Sequence, residues 1–195
     1  MQKLFLIAAF ALALPVIAQA QEAPRVEVFS GYSYLRADDN NAGLDRDLNG
    51  FNVSGNITVL GKWLGIKADV SGHYGQILGA AAIPDTDQRQ FLFLFGPQFS
   101  LRKSGKIRPF AHTLAGFTRT TLKNDAISGD ITDTGFAFAV GGGVDVKALS
   151  NKLSVRLFQA DYVLTKFGDS SSSGSNINNN VRISTGVVLR FGRIE

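Results

Sequence analysis

Residues 181–191 constrain the chain most. They read V-R-I-S-T-G-V-V-L-R-F. Val181, Ile183, Val187, Leu189 and Phe191 fall on one parity, with Thr185 among them. Arg182, Ser184, Gly186 and Arg190 fall on the other, with Val188 the one apolar intruder. Strict period-two alternation describes a strand with two unlike faces. Such a strand is stable only where the two faces meet two different media, and the pattern recurs along the chain.

Residues 1–20 read as a signal peptide, expected to be cleaved. Lys3 supplies the positive end, residues 4–17 the apolar stretch, and Ala18-Gln19-Ala20 a small-x-small cleavage site. The apolar stretch is shorter than the ~20 residues a membrane helix needs, and no later segment reaches that length. Residues 21–195 are therefore read as one exported domain made of strands.

Eight strands are predicted, at 25–35, 50–59, 64–74, 89–99, 107–118, 134–146, 153–165 and 181–191. The connectors between them alternate long and short. Residues 36–49, 75–88, 119–133 and 166–180 are long, the first and third of them polar and the last mostly Ser, Asn and Gly; residues 60–63, 100–106 and 147–152 are short turns. Long external loops alternating with short periplasmic turns are the layout of an outer-membrane barrel. The fold class predicted is all-β, an eight-stranded antiparallel up-and-down transmembrane β-barrel with both termini in the periplasm. Pro97 and Pro109 are expected where strands end, around the second short turn.

Alternation alone does not distinguish a membrane barrel from a soluble one that keeps its apolar face inside. Three features favour the membrane version. The polar faces carry Asn, Ser, Thr and Gly more than Lys and Glu, as a packed interior would. Gly31, Gly65, Gly96, Gly116, Gly143 and Gly186 fall on the polar side, where a narrow lumen is crowded. Aromatic residues gather at strand ends, with Tyr34, Tyr74 and Tyr162 toward one rim and Trp63, Phe99 and Phe191 toward the other. These six are the predicted aromatic girdle.

The order and spacing of F-L-F-G-P-Q at 93–98, P-F-A-H at 109–112, F-A-V-G-G-G-V-D-V at 138–146 and R-L-F-Q-A-D-Y at 156–162 resemble the small outer-membrane β-barrel family of the outer membrane protein A and X type. The resemblance spans residues 24–192. It implies an eight-stranded up-and-down barrel, in a family whose members include adhesins, stress-linked surface proteins and structural anchors. Phe191, although followed by four further residues, takes the position of that family's terminal aromatic assembly signal.

Topology then assigns heights. Glu27, Lys67, Asp69, Asp145 and Arg190 are predicted to face inward in the periplasmic half, with Arg156 level with them. Arg156 has the opposite parity to Gln159 and Asp161 on its own strand. A β-bulge between them would turn both sets inward. The lumen charge cluster is therefore Glu27, Lys67, Asp69, Asp145, Arg156 and Arg190, read as a neutral plug, with a narrow ion or solute path as the alternative.

Catalytic signals are weak. His73 and His112 are the only histidines. Ser71 and His73 share a face, but a lipid hydrolase would need them facing lipid. No catalytic residue, cofactor site or metal site is assigned; Gly141-Gly142-Gly143 lies inside a strand and reads as a packing site. Cysteine is absent, and the net charge of +4 is scattered rather than gathered into the basic face a nucleic acid would require. The expected partners are outer-membrane lipids and a loop ligand, with a monomeric barrel acting through its external loops. A lipid-modifying enzyme is the least favoured alternative.

Overall fold

The computed structural model describes residues 26–39, 44–61, 63–77, 86–101, 106–124, 131–148, 152–167 and 177–192. The predicted signal peptide and the tips of all four long connectors lie outside these residues. Eight strands follow in chain order: β1 (Val26–Asp39), β2 (Leu44–Leu60), β3 (Leu64–Ile77), β4 (Thr86–Ser100), β5 (Ile107–Asn124), β6 (Ile131–Lys147), β7 (Leu153–Phe167) and β8 (Ile177–Phe191). Each pairs antiparallel with its sequence neighbour, and β8 returns to β1 to close the barrel. Closure removes every sheet edge. Among the described residues no helix is long and apolar enough to cross a membrane; the strands make the crossing.

The register sets the tilt. Directly paired residues run from Val188 through Phe29, Ser54, Asp69, Leu94, Gly116, Ala137 and Thr165, and return to β8 at Asn178. The circuit ends ten residues from its start, nearer the long-loop end. With ~3.3 Å per residue and ~4.8 Å between strands, that stagger over eight strands tilts them by roughly 40°. Residues that bond across strands therefore sit at steadily rising heights around the wall.

The faces separate as the alternation predicts. Tyr32, Val53, Ile66, Val70, Phe95, Phe117, Val140, Val181, Ile183 and Val187 point outward and are exposed. Asn52, Ser54, Lys67, Asp69, Ser71, Arg182 and Ser184 point inward and are buried. On β8 the apolar outward run lasts from Val181 to Phe191, which matches the ~9–11 residues a tilted strand needs to cross a bilayer. An apolar belt around a polar interior is stable in hydrocarbon and not in water.

Three local features depart from the sequence expectation. The strands are longer, mostly at the long-loop ends: β2 begins at Leu44 rather than 50, and β5 runs to Asn124 rather than 118. These extensions carry polar side chains on both faces, so period-two hydropathy does not mark them. Pro97 and Pro109 lie within β4 and β5 rather than at their ends. Both point outward, and the β4–β5 pairing is interrupted between Phe95↔Ala115 and Gln98↔His112 with its register unchanged, where Pro97 has no N–H to give. Phe29, Leu35, Leu48, Leu92, Leu94 and Leu114 are apolar yet face the lumen. Apart from Phe29 they form one inward cluster with Ala137, Ala139 and Val163.

Glycine is required where the tight curvature brings inward Cβ positions against a neighbouring strand. Gly31 and Gly186 are cross-strand partners. A Cβ on Gly31 would lie 2.0 Å from the Thr185 carbonyl oxygen, and one on Gly186 would lie 2.4 Å from that of Ser30.

Candidate functional site

The periplasmic part of the lumen is filled by buried side chains from all eight strands. Arg190 donates through Nε to Glu27 (2.8 Å) and through Nη2 to Asp145 (3.3 Å), and also bonds Ser154. Arg156 forks onto the same Asp145 carboxylate at 2.8 and 3.3 Å. Its guanidinium lies between the rings of Phe29 and Phe110, 4.3 and 4.2 Å from their centroids. Planar stacking of this kind suits Arg and not Lys.

The bulge is what lets Arg156 reach this site. Asp145 pairs with Arg156 and Val144 with Phe158, so Leu157 is the extra residue. Leu157 and Phe158 both point outward, while Arg156, Gln159 and Asp161 are all buried inside. Gln159 then joins two tiers of charge. Its Oε1 accepts from Arg156 (2.6 Å) and Lys67 (3.3 Å), and its amide nitrogen donates to Asp161 (2.7 Å).

The second tier centres on Arg182, which is 0% exposed. It donates to Asp161 from Nε (2.9 Å) and Nη2 (2.6 Å), and from Nη1 to Asp69 (2.7 Å) and Ser71 (2.9 Å). Asp69 also pairs with Lys67 at 3.2 Å and accepts from Asn52 at 2.8 Å. His112 meets Asp161 at 2.9 Å and stacks on Phe110. Four carboxylates (Glu27, Asp69, Asp145, Asp161) and four cations (Lys67, Arg156, Arg182, Arg190) thus form two groups of ion pairs, which Gln159 joins into one network.

The six charged residues singled out from sequence, Glu27, Lys67, Asp69, Asp145, Arg156 and Arg190, all lie in this network. Sequence reasoning left out Arg182, Asp161 and His112, which carry the network to mid-barrel. The signal was present, since Arg182 and Asp161 have inward parity. They are cross-strand partners, but their meeting with Asp69 needs the closed barrel. The Ser71–His73 pair does not form: Ser71 accepts from Arg182, and His73 shares a 2.9 Å hydrogen bond with Ser33, deep in the lumen. Among the described residues no group of three His, Asp or Glu side chains is placed to hold a metal ion.

Beside the network, toward the long-loop end, the apolar cluster closes the bore. Leu35 pairs directly with Arg182, and Leu94 with Asp69. Leu35, Leu92, Leu114, Ala137, Ala139 and Val163 are each 0% exposed. Ala37 packs on this cluster and forms part of the floor of an external cup.

Outside the barrel, the residues named as a girdle point outward. Trp63 and Phe99 stack at 5.8 Å on the periplasmic side, where Phe191 ends β8. Toward the other rim Tyr34 bonds Asp47, Tyr162 donates to Asn179 at 2.8 Å, and Tyr74 packs edge-on to Phe91. The tyrosine hydroxyls meet the first polar outward side chains, where the apolar belt ends. Arg36, Arg89, Arg119 and Lys166 are exposed one outward position beyond Tyr34, Phe91, Phe117 and Leu164, as a basic collar.

The family model described as "Outer membrane protein beta-barrel domain" matches residues 6–191. The chain belongs to that family. This outer-membrane barrel is similar in fold to Ail, the attachment invasion locus protein of Yersinia pestis, solved in complex with the heparin analogue sucrose octasulfate. The two are 16% identical with a TM-score of 0.58, over 88% of this chain and all (100%) of that one. It is also similar to Neisserial surface protein A, at 15% identity and a TM-score of 0.63, over 85% of this chain and 97% of that one. No curated protein matches the outer-membrane barrel in sequence.

Proposed function

We propose that this outer-membrane barrel is a closed, non-enzymatic surface protein that acts through contacts made at its external end. The observation that carries the reading is the sealed lumen. A connected ion-pair network is capped by a dry apolar cluster, so the strands support a rigid platform. A hydrophobic constriction opposes water and ion passage, which weighs against the narrow-channel reading. Both histidines face the lumen, which weighs against a lipid-modifying enzyme. Above the belt the strands continue as polar hairpin arms, the usual place for function on a rigid scaffold.

The basic collar indicates a first probe. Ail was crystallised with a sulfated sugar, and Arg89, Arg119 and Lys166 offer this barrel cations for an anionic glycan. The test uses purified barrel in lipid, intact and with its long loops trimmed, against heparin-like glycans and host or cell-envelope components. Saturable, salt-sensitive binding that trimming or collar substitution removes is the expected result. Equal binding by the trimmed form, or a large steady conductance of the intact barrel, would overturn the reading.

A further inference from the structure

The external mouth of the lumen is a cup of about 240 Å³. Its wall residues come from every strand except β3 and have inward parity. Most are uncharged and polar: Gln88, Gln90, Thr120, Thr165, Asn178 and Asn180. Arg46 and Asp133 stand on nearly opposite strands, and Phe167 and Leu122 add apolar surface. The cup does not open into a channel, because the apolar cluster lies beneath it.

The wall carries both donors and acceptors. Gln90 donates its amide to Thr118 at 3.3 Å, and Asn180 donates to the Val163 carbonyl at 3.2 Å and to Thr165 at 3.3 Å. Asn180 thus commits both amide hydrogens and Gln90 one of two, whereas Gln88 spends its carbonyl oxygen on Arg46 at 3.2 Å. Asn178 Oδ1 is buried and has no partner. Asp133 adds a carboxylate and Arg46 a guanidinium, so donors and acceptors both line the wall, with apolar surface between them. Hydroxyl groups both donate and accept, so a wall of this kind matches a ligand that carries several of them. A multiply anionic ligand would meet one guanidinium and one opposing carboxylate. The volume lies below the ~300–1,000 Å³ of drug-sized ligand pockets, enough for one ring-sized molecule. Several hydroxyl donors, no net charge and an apolar ring face together describe a sugar.

We infer that the cup binds a single neutral sugar residue, free or at the end of a glycan. This deepens the surface-contact reading and rests on it, yet it uses a site separate from the basic collar. The test is saturation-transfer NMR on the barrel in nanodiscs, with glucose, galactose, mannose and N-acetylglucosamine as probes and glycine and sucrose octasulfate as charged comparators. At least one neutral sugar should bind saturably. Gln90→Leu and Asn178→Leu should each weaken it by about tenfold, the cost of an unmet hydrogen bond. Arg89→Gln/Arg119→Gln should leave it unchanged while weakening the sulfated probe. Folding is checked by the mobility difference between boiled and unboiled samples, and the near-isosteric Thr120→Val serves if a leucine variant does not fold. Absence of saturable neutral-sugar binding, insensitivity to the cup variants, or preference for glycine would each overturn the inference. Collar-dependent binding of the sulfated probe in that case would leave the surface-contact reading standing.

Discussion

Arg182→Met tests the lumen network at its centre. The arginine is fully buried and contributes four hydrogen bonds, two to Asp161, one to Asp69 and one to Ser71. Methionine keeps much of the volume and removes the charge. Asp69 then retains Lys67 and Asn52, and Asp161 retains His112 and Gln159. Two carboxylates would share one lysine and one histidine in a site without bulk water. Removing one partner of a buried ion pair costs about 3–5 kcal/mol. At a urea slope of ~2 kcal/mol/M this lowers the unfolding midpoint by about 2 M. Folding into lipid vesicles, followed by tryptophan fluorescence and gel mobility over a urea series, reads the shift directly. Asp161→Asn on the Arg182→Met background should recover part of the loss, because it removes one of the stranded charges. A single-mutant shift below about 0.5 M would show that the lumen is hydrated there, and the sealed-plug argument would fail with it.

Four further outcomes follow from the geometry. Val53→Arg, at mid-height on the lipid face, should cost about 2–4 kcal/mol, whereas Ile57→Arg near the periplasmic rim should cost less and Asn56→Ala least of the three; vesicle unfolding in which Asn56→Ala is the worst would invert the assigned faces. Gly31→Ala should block or greatly slow folding, since its Cβ would strike the Thr185 carbonyl, while Gly55→Ala meets nothing within 4 Å and should fold normally; comparable refolding yields would refute the close-approach argument. Deleting Leu157 should abolish assembly, because without the bulge either Arg156 or the Gln159–Asp161 pair must face lipid; a heat-modifiable band from the deletion would show that the register can slip. Wild-type barrel in planar bilayers should show no steady conductance, and single-channel recording decides that point.

Much of this architecture is already written in the order of residues. Period-two alternation from Val181 to Phe191 determines which β8 side chains share a face, whatever surrounds the strand, because side-chain parity is a property of the extended backbone. The same holds for Asn56 and Ile57, or Asp69 and Val70. Even the bulge on β7 is legible, because Arg156 and Asp161 cannot both be inward on an unbroken strand, and a charge in lipid is too costly to accept. Alternating connector lengths then order the strands. The extensions of β2 and β5 are not legible, because above the apolar belt the outward face turns polar while the inward face is mixed, with Leu48 next to Arg46 on β2 and Leu122 next to Thr120 on β5, and the contrast that marks the belt is lost.

The tertiary structure decides what meets across the lumen. A stagger of ten residues around eight strands brings Arg182 of β8 against Asp69 of β3, 113 positions away in sequence. It also stacks Leu35, Leu92 and Leu114 into a seal, although each looks like a flaw in its own strand's pattern. Local parity says only inside or outside. Height and neighbours inside come from tilt and closure, which are properties of the whole sheet.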